Sequence, residues 1–209
     1  MTTPYNAFAG GDIGRIAALS DGVFAFAATV LVLDVRTPEP ANIHSEIELL
    51  RVLAASAPRL LTWLLSLLTL GIFWVGQQTQ LNHLARSNRD LTWMHLGFLF
   101  AVTLVPFTTS LMAAWPAYRT ALLVYWFNIL LLGASLLLTW RCALAAGLIE
   151  EEARARLAGG VERRIVTAQA LYALGAALCL AGTYWSLGFI LLVQLNYALA
   201  PRLPLLRRL

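Results

Sequence analysis

Apolar positions in this chain gather into long runs, and polar positions into the short gaps between them. A helical run needs about 20 residues to cross a hydrocarbon core of about 30 Å at about 1.5 Å per residue. Residues 13–35, 57–80, 91–114 and 117–140 meet that length. The last apolar stretch, Ile165 to Ala200, is too long for one comfortable span. Gly182-Thr183-Tyr184-Trp185-Ser186 offers a turn with interfacial aromatics, dividing it into spans at 164–182 and 186–201. The pattern predicts an all-α integral membrane protein, one domain over residues 1–209 with six transmembrane helices.

The gaps carry the expected punctuation. Residues 1 to 12 read as a short tail, and Arg36-Thr37-Pro38-Glu39-Pro40 ends the first span, since proline lacks an amide hydrogen and restricts its predecessor. Asn42 to Arg51, with His44, Glu46 and Glu48, predicts an acidic amphipathic turn or two outside the bilayer. Asn82 to Asp90 is a polar connection, and Trp115-Pro116 a tight turn. Pro106 predicts a kink in the third span, with Thr103, Thr108 or Thr109 placed to reoccupy the freed carbonyl. Arg141 to Arg164 is the longest loop or helical extension. Its Glu150-Glu151-Glu152 run and its arginines suit i,i+4 pairing on a solvated helix, interrupted at Gly159-Gly160.

Composition excludes an ordinary soluble domain. Hydrophobic residues make up 59% and charged residues 12%, against about half and a quarter in soluble proteins. The net charge of +4 does not indicate nucleic acid, because the arginines sit at span ends rather than in one basic stripe. A cytoplasmic amino terminus puts Arg15, Arg86, Arg89, Arg141, Arg154, Arg156, Arg163, Arg164, Arg202, Arg207 and Arg208 inside. Only Arg36, Arg51, Arg59 and Arg119 then lie outside, so both termini are expected in the cytoplasm. All fifteen basic residues are arginines, as in GC-rich bacterial genomes, which points to a bacterial inner membrane. No cleavable signal is evident, and Cys142 and Cys179 read as inert core thiols. No catalytic constellation, phosphate loop or metal-spaced cluster is present, so neither an enzyme nor a cofactor is expected.

The first span carries the unusual chemistry. Arg15, Ser20 and Asp21 lie at or inside its first third, where an ionisable group costs a few kcal/mol unless it is paired or near the headgroups. Arg15 is more than a turn from Asp21, so partners for Asp21 are expected on other helices, with Trp74, Gln78, His95 and Asn128 as candidates. Gly22, Phe26, Val30 and Leu33 share a stripe, with Thr29 beside it. Taken alone, such a stripe reads as a helix-packing face.

The run Arg-x-x-x-Leu-Ser-Asp-Gly-Val-Phe-Ala-Phe-Ala-Ala-Thr-Val-Leu-Val-Leu-Asp from Arg15 closely resembles the first-helix signature of the bacterial transmembrane protein 175 family, potassium-permeable channels. The late Pro-Phe-Thr-Thr element of the third span resembles the same family. Leu19 replaces the usual Phe, Phe26 the usual Ile or Leu, and Gln77-Gln78 a His pair after Trp74. The resemblance implies a homotetramer in the lipid bilayer whose four first helices line a pore for potassium and other monovalent cations. Phe26, Val30 and Leu33 would form its hydrophobic constriction, Phe26 at the narrowest position, and Thr29 a hydroxyl ring. Arg15, Ser20 and Asp21 would belong to a polar network at the cytoplasmic end. No standard potassium-channel filter or re-entrant pore loop is present. A small proton-coupled transporter using Asp21 and a non-conducting membrane scaffold are the alternatives.

Overall fold

The computed structural model describes residues 12–33, 35 and 43–199, without the side chains of 156–158. The expected tail over residues 1–11, the break at 36–40, Arg202, Arg207 and Arg208 lie outside the described residues, as does the side chain of Arg156.

The described chain is helical: α1 (Ile13–Leu33), α2 (Glu46–Ala55), α3 (Ala57–Leu81), α4 (Arg89–Thr103), α5 (Val105–Ala114), α6 (Arg119–Ala145), α7 (Glu151–Ala177), a 3-10 turn (Leu178–Leu180) and α8 (Thr183–Leu199). By length and composition, α1, α3, the α4–α5 pair and α6 are long and apolar enough to cross a membrane.

The helix α7 corrects the expected interruption at Gly159-Gly160 and joins the helical extension before residue 164 to the apolar stretch after it. It starts at Glu151 and runs unbroken through both glycines. A glycine in a helix interior costs about 1 kcal/mol relative to alanine. The alanines, arginines and glutamates around the pair are good helix formers, and their summed propensity prevails. Arg141 pairs with Glu162, fastening this helix to α6.

Local chemistry sets the other boundaries. The segment expected outside the bilayer is a full helix rather than a turn or two, capped by Ser45 with a shifted form of the capping box in which Glu48 reaches back to His44. Ser45 Oγ accepts from Glu48 N at 3.3 Å, and His44 N donates to Glu48 Oε2 at 2.7 Å. Asn88 caps α4 by accepting from Leu91 N at 2.9 Å. Leu104 separates α4 from α5 just before Pro106. Thr103 bonds the Phe100 carbonyl, while Thr108 and Thr109 bond that of Val105. The threonines thus stabilise the turns on either side of the break.

Central to the packing is α3, which contacts α1, α5, α6 and α8, while α4 and α7 pack on α6. Its Leu65, Leu70 and Phe73 join Phe98, Val102, Tyr125 and Ile190 in the main core. At one end, a backbone bridge between Leu84 and Ile149 joins the α3–α4 and α6–α7 connections. Gly147, with φ of 64°, makes the turn into that bridge, in the left-handed region that favours glycine. At the other end, Arg119 donates to the Leu180 carbonyl at 3.2 Å, and Trp115, Tyr118, Tyr184 and Trp185 are exposed there, as in an interfacial aromatic belt.

Candidate functional site: the first helix and its polar anchors

One face of α1 is buried: Ile16, Ser20, Phe24, Ala27 and Leu31, spaced by four, four, three and four residues. Phe24 meets Phe98 of α4 at a ring separation of 6.0 Å. The opposite face is left open. Phe26 is 70% exposed and Leu33 77%, Thr29 is exposed, and Val30 is half-buried at the stripe's edge. Thr29 Oγ1 donates to the Phe26 carbonyl at 2.7 Å, which holds the hydroxyl against its own helix. Only 28% of the apolar stretch of α1 is buried within the chain, against 39–44% for the other three apolar stretches.

Ser20 and Asp21 are about 100° apart around α1, as are Gln77 and Gln78 around α3. Two neighbouring residues on each helix therefore serve two different sides of one crossing. On the open side, Asp21 Oδ1 accepts from Trp74 Nε1 and from Gln78 Nε2, both at 2.8 Å. Trp74 and Gln78 are four apart and so share a face of α3. Hydrogen bonds to a carboxylate are stronger than neutral ones, and this pair fixes which way Asp21 points.

On the inner side, Gln77 Nε2 donates to Ser20 Oγ at 3.0 Å and lies 3.5 Å from His95 Nδ1. Ser20 in turn donates to the Ile16 carbonyl at 2.8 Å. Gln77 Oε1 and His95 Nε2 are buried without a protein partner among the described residues.

The expected members divide accordingly. Asp21, Trp74 and Gln78 come together, and Ser20 and His95 form the adjoining inner cluster through Gln77. Arg15 does not join either: its backbone amide donates to Asp12 Oδ1 at 3.2 Å, and the residue is exposed. Asn128 lies elsewhere, donating to the Ala101 carbonyl at 2.9 Å and accepting from Thr108 at 3.3 Å across the α4–α5 break. Its mid-helix position on α6 puts it beside the kink rather than at the α1–α3 crossing.

A second buried polar cluster, which no sequence motif marks, lies off the first helix. Thr109 donates to Ser66 at 2.6 Å, Gln194 Nε2 to Thr69 at 2.6 Å, and the Tyr125 hydroxyl lies 3.0 Å from Thr69. It pins α3, α5, α6 and α8 together, and its hydroxyl members leave little mark on a hydropathy profile.

Residues 15–106 match the family model described as endosomal/lysosomal potassium channel TMEM175. The fold matches the crystal structure of a lysosomal potassium-selective channel TMEM175 homolog from Chamaesiphon minutus, with a TM-score of 0.78 and 26% identity over 90% of this chain and 97% of that one. In that stretch and in its fold, the chain is similar to the TMEM175 family. In sequence, a protein of Chamaesiphon minutus named a potassium channel is 28% identical over 90% of this chain and 94% of its own length. A Streptomyces collinus potassium channel is 36% identical over 48% of this chain, and the match spans 47% of that relative. Human TMEM175, named an endosomal/lysosomal proton channel, is 31% identical over 49% of this chain and 22% of its own length. The TMEM175 match by sequence thus takes in α1 from Arg15 onward, Trp74, Gln77 and Gln78 on α3, and His95. The relatives it matches are named as channels, and four of its helices are long and apolar enough to cross a membrane.

Proposed function

We propose that the protein is a potassium-permeable, modestly selective cation channel, a homotetramer with α1 on its axis. The observation that carries this reading is the open stripe of α1. The helix with the TMEM175 signature leaves Phe26, Thr29 and Leu33 exposed among the described residues while anchoring its other side through Ser20 and Asp21. Four such stripes around an axis make rings of Phe26 and Leu33, edged by Val30, that gate by dewetting. The Thr29 hydroxyls line the wall between them, and pore width with that hydroxyl ring sets the selectivity. The anchors take no ion; they hold the stripe toward the axis.

An open groove of about 440 Å³ beside Asp21, walled by Ala25, Ala28, Leu67 and Gly71, fits a neighbouring subunit. Six crossings with both termini in the cytoplasm of a bacterial inner membrane complete the proposal.

Flux from liposomes under a potassium gradient tests it, with sodium substituted in parallel, a proton gradient as a third arm, and Phe26→Ala alongside. Potassium flux above sodium that rises in Phe26→Ala is the expected result. Saturating, pH-driven flux points to a carrier, and no flux until valinomycin is added, which shows the vesicles to be sound, points to a scaffold.

A further inference from the structure

On the far side of α3 from the α1 anchors, a groove of about 310 Å³ opens between α3, α6, α7 and α8. Its size is at the lower end of ligand pockets, which span about 300–1,000 Å³. Two features make it more than a packing defect. Its walls are apolar, formed by Ile72, Val75, Ile165 and Ala168, and Val75 is 53% exposed, so the groove is open at the side of the bundle. Three buried polar atoms on it lack a protein partner among the described residues: Gln80 Oε1, Gln169 Oε1 and the Tyr197 hydroxyl.

The amide nitrogens of both glutamines are already committed, Gln80 to the Leu136 carbonyl at 3.0 Å and Gln169 to the Ile129 carbonyl at 3.4 Å. That fixes their oxygens as the unused groups. Buried acceptors of this kind are costly unless a donor reaches them. At the rim stands Arg164, its guanidinium 5.6 Å from the centre of the Tyr197 ring. Among the described residues it makes no ion pair, whereas nearby Glu162 is taken by Arg141.

We propose that the groove holds an anionic glycerophospholipid of the surrounding bilayer. Its phosphate sits on Arg164, its headgroup hydroxyls supply the donors that the orphaned oxygens lack, and an acyl chain lies against α3 and α7. The charge at the rim selects the anion, since basic pockets between membrane helices favour anionic headgroups. A second copy of the chain presenting an apolar side chain would fill the walls but leave Gln80, Gln169 and Tyr197 unsatisfied. The inference stands apart from the channel reading and needs no flux to test it.

The test uses the purified full chain in detergent, with native mass spectrometry after equal additions of dioleoyl phosphatidylglycerol or dioleoyl phosphatidylcholine. Wild type is expected to retain the glycerol lipid preferentially and to gain thermal stability from it. Arg164→Gln should lower that retention about fivefold, the effect of one arginine near an anionic lipid, with phosphatidylcholine unchanged and Arg163→Gln as wild type. Ala168→Phe and, on the opposite wall, Val75→Phe should each displace the lipid, so loss of folding in one leaves the other to decide. Equal retention of both lipids by wild type, or no effect of Arg164→Gln, overturns the proposal. So does efficient disulfide cross-linking of Val75→Cys between copies, which would put a neighbouring subunit in the groove.

Discussion

Trp74 donates its indole N–H to the Asp21 carboxylate at 2.8 Å, joining an acid on the first helix to the face of α3 that points out of the chain. The contact explains how a charged group is held at the end of a membrane helix. It also makes Asp21 an orienting group. Asp21→Ala should harm assembly or gating more than ion preference, since Trp74 and Gln78 lose a shared acceptor, at about 1.5–3 kcal/mol for a bond to a charged partner. Size-exclusion with light scattering and single-channel recording check it; a stable tetramer with normal open probability would contradict the assignment.

Phe26 is larger than the Ile or Leu usual in the resembled signature, and it is exposed on α1. Phe26→Ile should raise unitary conductance or open probability severalfold in planar bilayers. Equal conductance in the two proteins would remove Phe26 from the constriction.

Ser20 and Gln77 form an asymmetric pair. Ser20→Ala leaves the buried Gln77 amide only its long contact with His95 and should cost about 1–3 kcal/mol, whereas Gln77→Leu removes a side chain whose Oε1 already lacks a partner among the described residues. The double variant should therefore be more stable than Ser20→Ala alone. Thermal denaturation of the four proteins in one detergent decides; strictly additive losses would show that the bond carries no coupling.

Asn128 bridges the α4–α5 break and lies away from the proposed pore. Asn128→Ala should lower the melting temperature, by an amount consistent with about 1 kcal/mol for one interhelical bond, while ion preference stays as in wild type. A change in the potassium-to-sodium flux ratio would place Asn128 in the conduction path instead.

The apolar runs of α1, α3, α4–α5 and α6 were legible because hydropathy and length carry most of the signal in a membrane helix. The carboxyl-terminal third was harder: α7 is half solvated, and its start depends on helix propensity outweighing two glycines. The Ser45–Glu48 capping box was present in the sequence, and weighing it would have extended the outer segment. Within the site, Asp21, Trp74 and Gln78 could be nominated as polar groups at a shared depth. Their sorting into outer and inner clusters could not, because it depends on how α1 and α3 are rotated about their own axes. That is why the sequence points to Gln78 and not Gln77, and why it does not separate Arg15 and Asn128 from the residues at the α1–α3 crossing.

The two adjacent anchors on α1 have a mechanical consequence. Because Ser20 and Asp21 are held from directions about 100° apart, spinning α1 about its axis breaks the hold of Gln77 on one side and of Trp74 and Gln78 on the other. The helix is torsionally locked at one end and, among the described residues, holds no such bond to another helix near Leu33. Its soft motion is a swing, with α3 as the fulcrum, so in the proposed channel widening the ring at Phe26 calls for splaying of the far ends rather than a turn of the screw.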